Sequence, residues 1–210
     1  MIDLYSFNTP NGRKISIMLE ELGVPYNAHL INILEGDQLK PEFLAISPNN
    51  KIPAIVDSEG PGGEPLALFE TGAILVYLAE KYGKLLPTDG VGRARTLQWL
   101  FWQVGGVGPM FGQAGHFVRF APEDVPYAKT RYTNETKRLL GVMDTQLAAN
   151  AYLAGADFTI ADIATVTWVE ALDFYGIYDL VDDFPAVKAW VAKVKDRPGV
   201  KKGWDADFGG

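Results

Sequence analysis

The stretch Ile52-Pro53-Ala54-Ile55-Val56, followed by Leu66-Ala67-Leu68-Phe69-Glu70-Thr71-Gly72, decides how this chain folds. A proline lacks the N–H that a central strand contributes to its ladder, so Pro53 belongs at a strand's first position, where a cis bond is tolerated. Ala54–Val56 and Leu66–Phe69 then read as two short strands, with Ser58-Glu59-Gly60-Pro61-Gly62-Gly63-Glu64-Pro65 as the hairpin loop between them. A kink at Pro53 turns the N–H and C=O of Ile52 outward, where an extended peptide can add as a further strand. Glu70 and Thr71 stand where the second strand meets a helical run from Gly72 to Tyr82. Unpaired N–H groups at that helix start favour a carboxylate, the Thr71 hydroxyl adds a donor, and the Glu70 side chain can receive an ammonium group. A cation hole and an anion hole beside a strand edge suit a small γ-glutamyl peptide. Taken singly, each motif is an ordinary proline turn or a helix cap; their spacing within one short domain points to a binding role.

Working outward, residues 1–82 alternate strand and helix signals. Ile2 to Phe7 reads as a strand, and Gly12 to Leu22 carries Ile15, Met18, Leu19 and Leu22 at helical spacing before Gly23-Val24-Pro25 stops it. Tyr26 to Ile31 is a second strand, and a helix of about two turns is expected from Gln38 to Ile46, ahead of the Pro48-Asn49-Asn50 turn. The resulting βαβαββα order predicts an α+β, thioredoxin-like domain over residues 1–82, a mixed sheet covered by helices. A linker at 83–90 separates it from an all-α domain over 91–210, with helices expected near 92–116, 123–149, 160–174 and 184–195. Thr159-Ile160-Ala161-Asp162 reads as a capping box stapled by Phe158 and Ile163, so Asp162 is assigned to structure and not to catalysis.

Composition narrows the chemistry. At 210 residues and 48% hydrophobic, the chain can bury one large core or two modest ones. A formal charge of −7 argues against nucleic acid or an anionic membrane as partner. No run approaches the roughly 18 apolar residues of a membrane span, and the N-terminus is strand-like, so a cytoplasmic enzyme is expected. There is no cysteine, which excludes disulfides, cysteine-ligated zinc and an enzyme thiol nucleophile. His29 and His116 are far apart without a metal-ligand spacing and read as packing or surface residues, so no metal is expected.

With these elements placed, the chain resembles the cytosolic-type glutathione transferases along essentially its full length. The resemblance rests on Ile52-Pro53 before the third strand, Glu70-Thr71 at the third helix, the all-helical second half and the Thr159–Asp162 box. The strings Asn8-Thr9-Pro10-Asn11-Gly12-Arg13-Lys14, Ser47-Pro48-Asn49-Asn50-Lys51-Ile52-Pro53 and Leu97-Gln98-Trp99-Leu100-Phe101-Trp102-Gln103 are similar to the bacterial Nu-class, whose members include glutathione-dependent disulfide-bond oxidoreductases.

The resemblance implies that reduced or oxidised glutathione is the cosubstrate and supplies the sulfur that the protein lacks. A thiolate is favoured by hydrogen-bond donors and a helix N-terminus. Thr9 and Asn11 can provide both, and the resemblance makes them the sulfur site; on spacing alone they serve equally as cap residues, with Tyr5 and Ser6 as competing hydroxyls. Ile52, preceding Pro53, would pair with the cysteinyl backbone, Glu70 and Thr71 would take the γ-glutamyl end, and Gln38 and Lys51 would reach the glycine carboxylate. Lys51 also reads as a solvated lysine beside a turn, and Trp99, Phe101 and Trp102 as core packing in preference to a second-substrate pocket. The family further implies a homodimer in which Arg131 reaches the partner's glutathione site; by sequence alone Arg131 is part of a solvated basic helix face. The expected reaction is thiol–disulfide exchange on a small disulfide, with transferase and peroxidase side reactions. Conventional conjugation to an electrophile and a non-enzymatic binding module are the alternatives.

Overall fold

The structure is a computed structural model that describes residues 1–208, and these fall into two compact units: residues 1–84 with the C-terminal segment from 197 onward, and residues 85–196.

In the first unit the chain order is β1 (Ile2–Ser6), α1 (Pro10–Leu22), β2 (Tyr26–Leu30), α2 (Pro41–Leu44), β3 (Ala54–Asp57), β4 (Leu66–Phe69) and α3 (Thr71–Tyr82), with α9 (Pro198–Trp204) returning from the C-terminus. The four strands form one sheet in the order β2-β1-β3-β4. β1 runs parallel to β2, pairing Leu4 with Ala28, and antiparallel to β3, pairing Leu4 with Ile55; β3 and β4 are antiparallel with Ile55 opposite Leu68. The parallel β1–α1–β2 crossover places α1 on one face, where Ile15, Met18 and Leu19 are fully buried along with Ile74, Leu75 and Leu78 of α3. Burial of this apolar face, more than helix propensity, holds these elements. At the sheet's far end Asp57 is buried, receives the Tyr77 hydroxyl at 2.6 Å and pairs with Lys81, tying β3 to α3.

Two close approaches set the position of α1. A Cβ on Gly12 would lie 2.1 Å from the Phe7 carbonyl oxygen, so the first turn of α1 can sit against the end of β1 only with glycine there. A Cβ on Gly203 would lie 2.3 Å from Ile17 Cα, and the Ser16 hydroxyl donates to the Gly203 carbonyl at 2.6 Å, so α9 lies directly against the α1 backbone.

The region expected as a helix from Gln38 to Ile46 is a 3₁₀ turn at Asp37–Leu39 followed by the single-turn α2. Pro41 is the reason: the residue before a proline is driven out of the α region, and Lys40 is extended at φ −68°, ψ 143°.

The second unit contains α4 (Gly90–Trp102), α5 (Gly108–Gly115), α6 (Pro126–Ala149), α7 (Ile160–Tyr175) and α8 (Pro185–Lys195). The single helix expected over 92–116 is α4 and α5 joined by a π-helical segment, Gln103–Val107, with a second π-helical turn at His116–Phe120. Pro109 explains the first: it donates no N–H and its ring crowds the carbonyl four residues back, and the wider turn reaches the Gly108 amide to the Gln103 carbonyl instead. Trp99 and Trp102 pack edge to face at 5.1 Å, while Phe101 is exposed. At the start of α7 the buried Asp162 carboxylate accepts the Leu153 amide, the Thr159 amide and the Trp190 indole N–H, each at 3.0 Å, so it fastens α7 to α8 as well as capping α7. No helix among the described residues is long and apolar enough to cross a membrane.

Candidate functional site

Two chain turns build the site in the first unit. β1 delivers the chain to Thr9, whose extended backbone at φ −125°, ψ 166° makes it the N-cap of α1, with Pro10 at the first helical position. The Thr9 hydroxyl oxygen accepts the Gly12 amide at 3.1 Å. On the far side of β1, the Ile52–Pro53 peptide is cis and leads into β3, and β4 leads through Glu70 into α3. Glu70 has φ +70°, a conformation that a non-glycine side chain rarely adopts, and it makes no side-chain cap to α3. Its carboxylate is exposed, and the amide groups of the first turn of α3 remain available by position. Strain of this kind is held only where the surrounding structure overdetermines it, and it clusters at ligand-binding turns.

These turns enclose a cavity of about 280 Å³ lined by Asn11, Asn49, Lys51, Ile52, Pro53, Phe69, Glu70 and Thr71. Six of the residues singled out from the sequence therefore converge on one volume. Thr9 caps the helix two residues before Asn11 and is half-buried. Gln38 is not among the lining residues: its amide nitrogen lies 3.4 Å from the Ile33 carbonyl, and its amide oxygen is buried with no protein partner among the described residues. Arg131 belongs to the second unit, where it lines an open groove of about 600 Å³ on α6 with Met110, Tyr127, Glu135 and Arg138. Neither competing hydroxyl belongs to a residue that lines this cavity. Tyr5 stacks on His29 at 4.5 Å and borders a different cavity with Leu30, Phe43 and Ile46; burial, followed by the charge of Asp3, raises its pKa, opposite to what a donor that ionises would need. Ser6 is fully buried.

Beneath the cavity lies a residue that the motif reading passed over. Lys14 is 1% exposed, and its Nζ donates to Thr71 Oγ1 at 3.3 Å. Burial lowers its pKa to about 7, an effect opposed by the negative charge of Glu70. The signal was present in the sequence: Lys14 lies four residues before Met18, on the core-facing side of α1. Asn49 and Phe69 also line the cavity without having been singled out.

Chemically, the cavity offers helix-end amides, the Thr71 hydroxyl and the Lys51 ammonium for carboxylates, and the Glu70 carboxylate for a cation. Thr9 and Asn11 at the start of α1 offer polar donors beside a positive helix end, the environment that favours a thiolate. Among the described residues no cluster of three His, Asp or Glu side chains could hold a metal ion.

Comparison with known proteins identifies the family of the chain. Residues 9–81 match the model of the glutathione S-transferase N-terminal domain, and residues 116–203 that of the glutathione S-transferase C-terminal domain. The chain is 53% identical over 199 residues to the disulfide-bond oxidoreductase YfcG of Escherichia coli, spanning 94% of this chain and 92% of that protein. Among solved structures it is similar to a glutathione transferase family member from Pseudomonas fluorescens with two glutathione bound, at TM-score 0.95 and 52% identity, covering 97% of this chain and 92% of that one. A glutathione transferase from Pseudomonas putida, with one glutathione disulfide bound per subunit, superposes at TM-score 0.94 and 50% identity over 97% of this chain and 90% of that one. Matched in both halves and by a relative of nearly its own length, the chain belongs to the glutathione S-transferase family.

Proposed function

We propose that this protein is a glutathione-dependent disulfide reductase that binds glutathione in the cavity between the starts of α1 and α3. The observation that carries the reading is the convergence of Asn11, Ile52, Glu70 and Thr71 on one cavity in a chain without cysteine. Glu70 receives the ligand's ammonium group, and Thr71 with the α3 amides receives its α-carboxylate. Ile52 pairs with the cysteinyl backbone, Lys51 takes the glycine carboxylate with Gln38 as a further donor, and Thr9 and Asn11 hold the sulfur as a thiolate. The similarity to proteins holding two glutathione molecules or glutathione disulfide supports a site that accommodates both thiols.

The reaction balances without an enzyme thiol. A glutathione thiolate attacks one sulfur of the substrate disulfide, forming a mixed disulfide and releasing the first substrate thiol. A second glutathione thiolate attacks the glutathione sulfur of that intermediate, releasing the second substrate thiol and glutathione disulfide. Two glutathiones are oxidised and one disulfide is reduced. The role of the protein is to lower the thiolate's free energy and align it with the disulfide axis. We place the enzyme in the cytoplasm as a homodimer, with Arg131 of each subunit serving the partner subunit's glutathione.

The test is reductase activity on a small disulfide after treatment with iodoacetamide and removal of the reagent. Full activity is expected, strictly dependent on glutathione. Activity above the uncatalysed rate with another thiol replacing glutathione would show that the protein does not use glutathione as its source of sulfur. A rate of aryl-halide conjugation exceeding that of disulfide reduction would assign the enzyme to conventional transfer.

A further inference from the structure

Lys14 is a fully buried lysine whose Nζ donates to the hydroxyl of Thr71, a residue that lines the cavity. Thr71 is the first residue of α3 and is itself 8% exposed, so one side chain both lines the cavity and bonds the buried amine. An ammonium carries three donors and no acceptor. While Lys14 is charged, the bond to Thr71 must therefore run from Nζ to Oγ1, and the single hydroxyl proton is directed away from Lys14. A neutral amine has a lone pair, to which the Thr71 hydroxyl can donate; the proton then points inward, and the cavity loses a donor. The charged amine thus restricts the Thr71 hydroxyl to accepting from Lys14, a restriction that the neutral amine lifts.

We propose that Lys14 is a positioning residue whose ammonium holds the Thr71 hydroxyl as a donor toward the cavity, so that capture of a carboxylate there is accompanied by proton uptake at Lys14. This rests on the reading that the cavity takes the γ-glutamyl end of glutathione. The local electrostatics fit. Burial brings Lys14 to about 7, where both forms are populated at neutral pH and a nearby charge decides between them. The negative charge of Glu70 acts on Lys14 and favours its charged form; the other ionisable side chains on the strand and helices against α1 are Asp3 and Tyr5 of β1, Tyr77, Glu80, Lys81 and Tyr82 of α3, and Lys201 and Lys202 of α9. A ligand ammonium on Glu70 acts in the opposite sense, but it sits on an exposed side chain screened by solvent. A carboxylate held by the Thr71 hydroxyl is separated from Nζ by that one group, and in this arrangement its effect outweighs that of the ammonium.

The experiment is titration calorimetry with S-methylglutathione, which has no thiol to ionise, in phosphate and in Tris at pH 7.5. The difference in apparent enthalpy counts the protons exchanged. We expect uptake of about half a proton per ligand, and a Kd that rises roughly fivefold to tenfold between pH 6 and pH 8. Lys14→Met should abolish the uptake and bind with a weak, pH-independent Kd, while Lys14→Arg should bind without uptake at any pH. If the Lys14 variants fail to fold, Thr71→Val supplies the same arm, because without the hydroxyl the uptake should vanish. Absence of binding by the unaltered protein would overturn the glutathione reading. Binding with no proton uptake, or with uptake that persists in Lys14→Met or Thr71→Val, would leave that reading intact and overturn the role of Lys14.

Discussion

The Thr9 hydroxyl accepts the Gly12 amide at 3.1 Å, so the group that caps α1 keeps its own proton for another acceptor. Capping and sulfur binding are therefore compatible in one side chain, and substitutions can separate them. Thr9→Ser should retain both. Thr9→Asp keeps the cap acceptor but has no hydroxyl proton and adds a negative charge; its stability should stay within about 0.5 kcal/mol of the parent while turnover falls on the order of 10- to 100-fold. Thr9→Ala should lose both, with about 1 kcal/mol of stability gone. Urea denaturation and steady-state rates on the same preparations check this, and unchanged turnover in Thr9→Asp would move the sulfur contact to Asn11.

Thr71 faces two ways, toward the cavity and toward Lys14 Nζ at 3.3 Å. Thr71→Ala should weaken glutathione binding by about 1–3 kcal/mol, the range for a hydrogen bond to a charged group. It should also lower stability, because a buried ammonium loses an acceptor. Calorimetry and denaturation measure the two effects separately. Thr71→Ser should restore both, and full glutathione affinity in Thr71→Ala would remove the hydroxyl from the binding site.

The buried Lys14 also makes folding stability depend on pH. Burial lowers its pKa from the ordinary 10.5 to about 7, so between these values the unfolded chain binds more protons than the folded one. Stability must therefore rise with pH across that window and level off below pH 7, where Lys14 is charged in both states. The Lys14 contribution should grow on the order of 2 kcal/mol between pH 7 and pH 9. The measurement is urea denaturation of the parent and of Lys14→Met at both pH values, since their difference cancels other titrating groups. Lys14→Met should be the more stable protein at pH 7, and parallel pH profiles would contradict the burial of a titrating lysine.

Arg131 lines the groove on α6 beside Glu135 and Arg138, which bond to each other at 2.7 Å and 2.8 Å. If it serves the partner subunit, mixing an Arg131→Ala protein with a Thr9→Ala protein should restore activity after subunit exchange. Each mixed dimer then holds one site with both lesions and one with neither. Mass spectrometry of intact dimers verifies the exchange. No recovery in verified mixed dimers would place Arg131 outside the partner's site.

The order of elements was legible where its signals are local. Pro53 opening β3, Gly23 closing α1 at φ +71°, and the Thr159–Asp162 box act through residues within a few positions of themselves. The Ile52–Pro53 and Glu70–Thr71 pairs were legible for the same reason, since each marks where a strand begins or a helix starts. Lys40–Pro41 was a local signal too, and giving the pre-proline restriction its weight would have ended the helix expected over Gln38–Ile46. The tertiary structure alone decided what these signals amount to together. It put Asn11, Asn49, Lys51, Ile52, Glu70 and Thr71 around one cavity because β1 lies between β2 and β3 and brings the starts of α1 and α3 to the same end of the sheet. It also turned Lys14 inward beneath Thr71, 57 positions away. The local spacing to Met18 puts Lys14 on the core-facing side of α1, but its pKa and its partner depend on which distant elements cover that side.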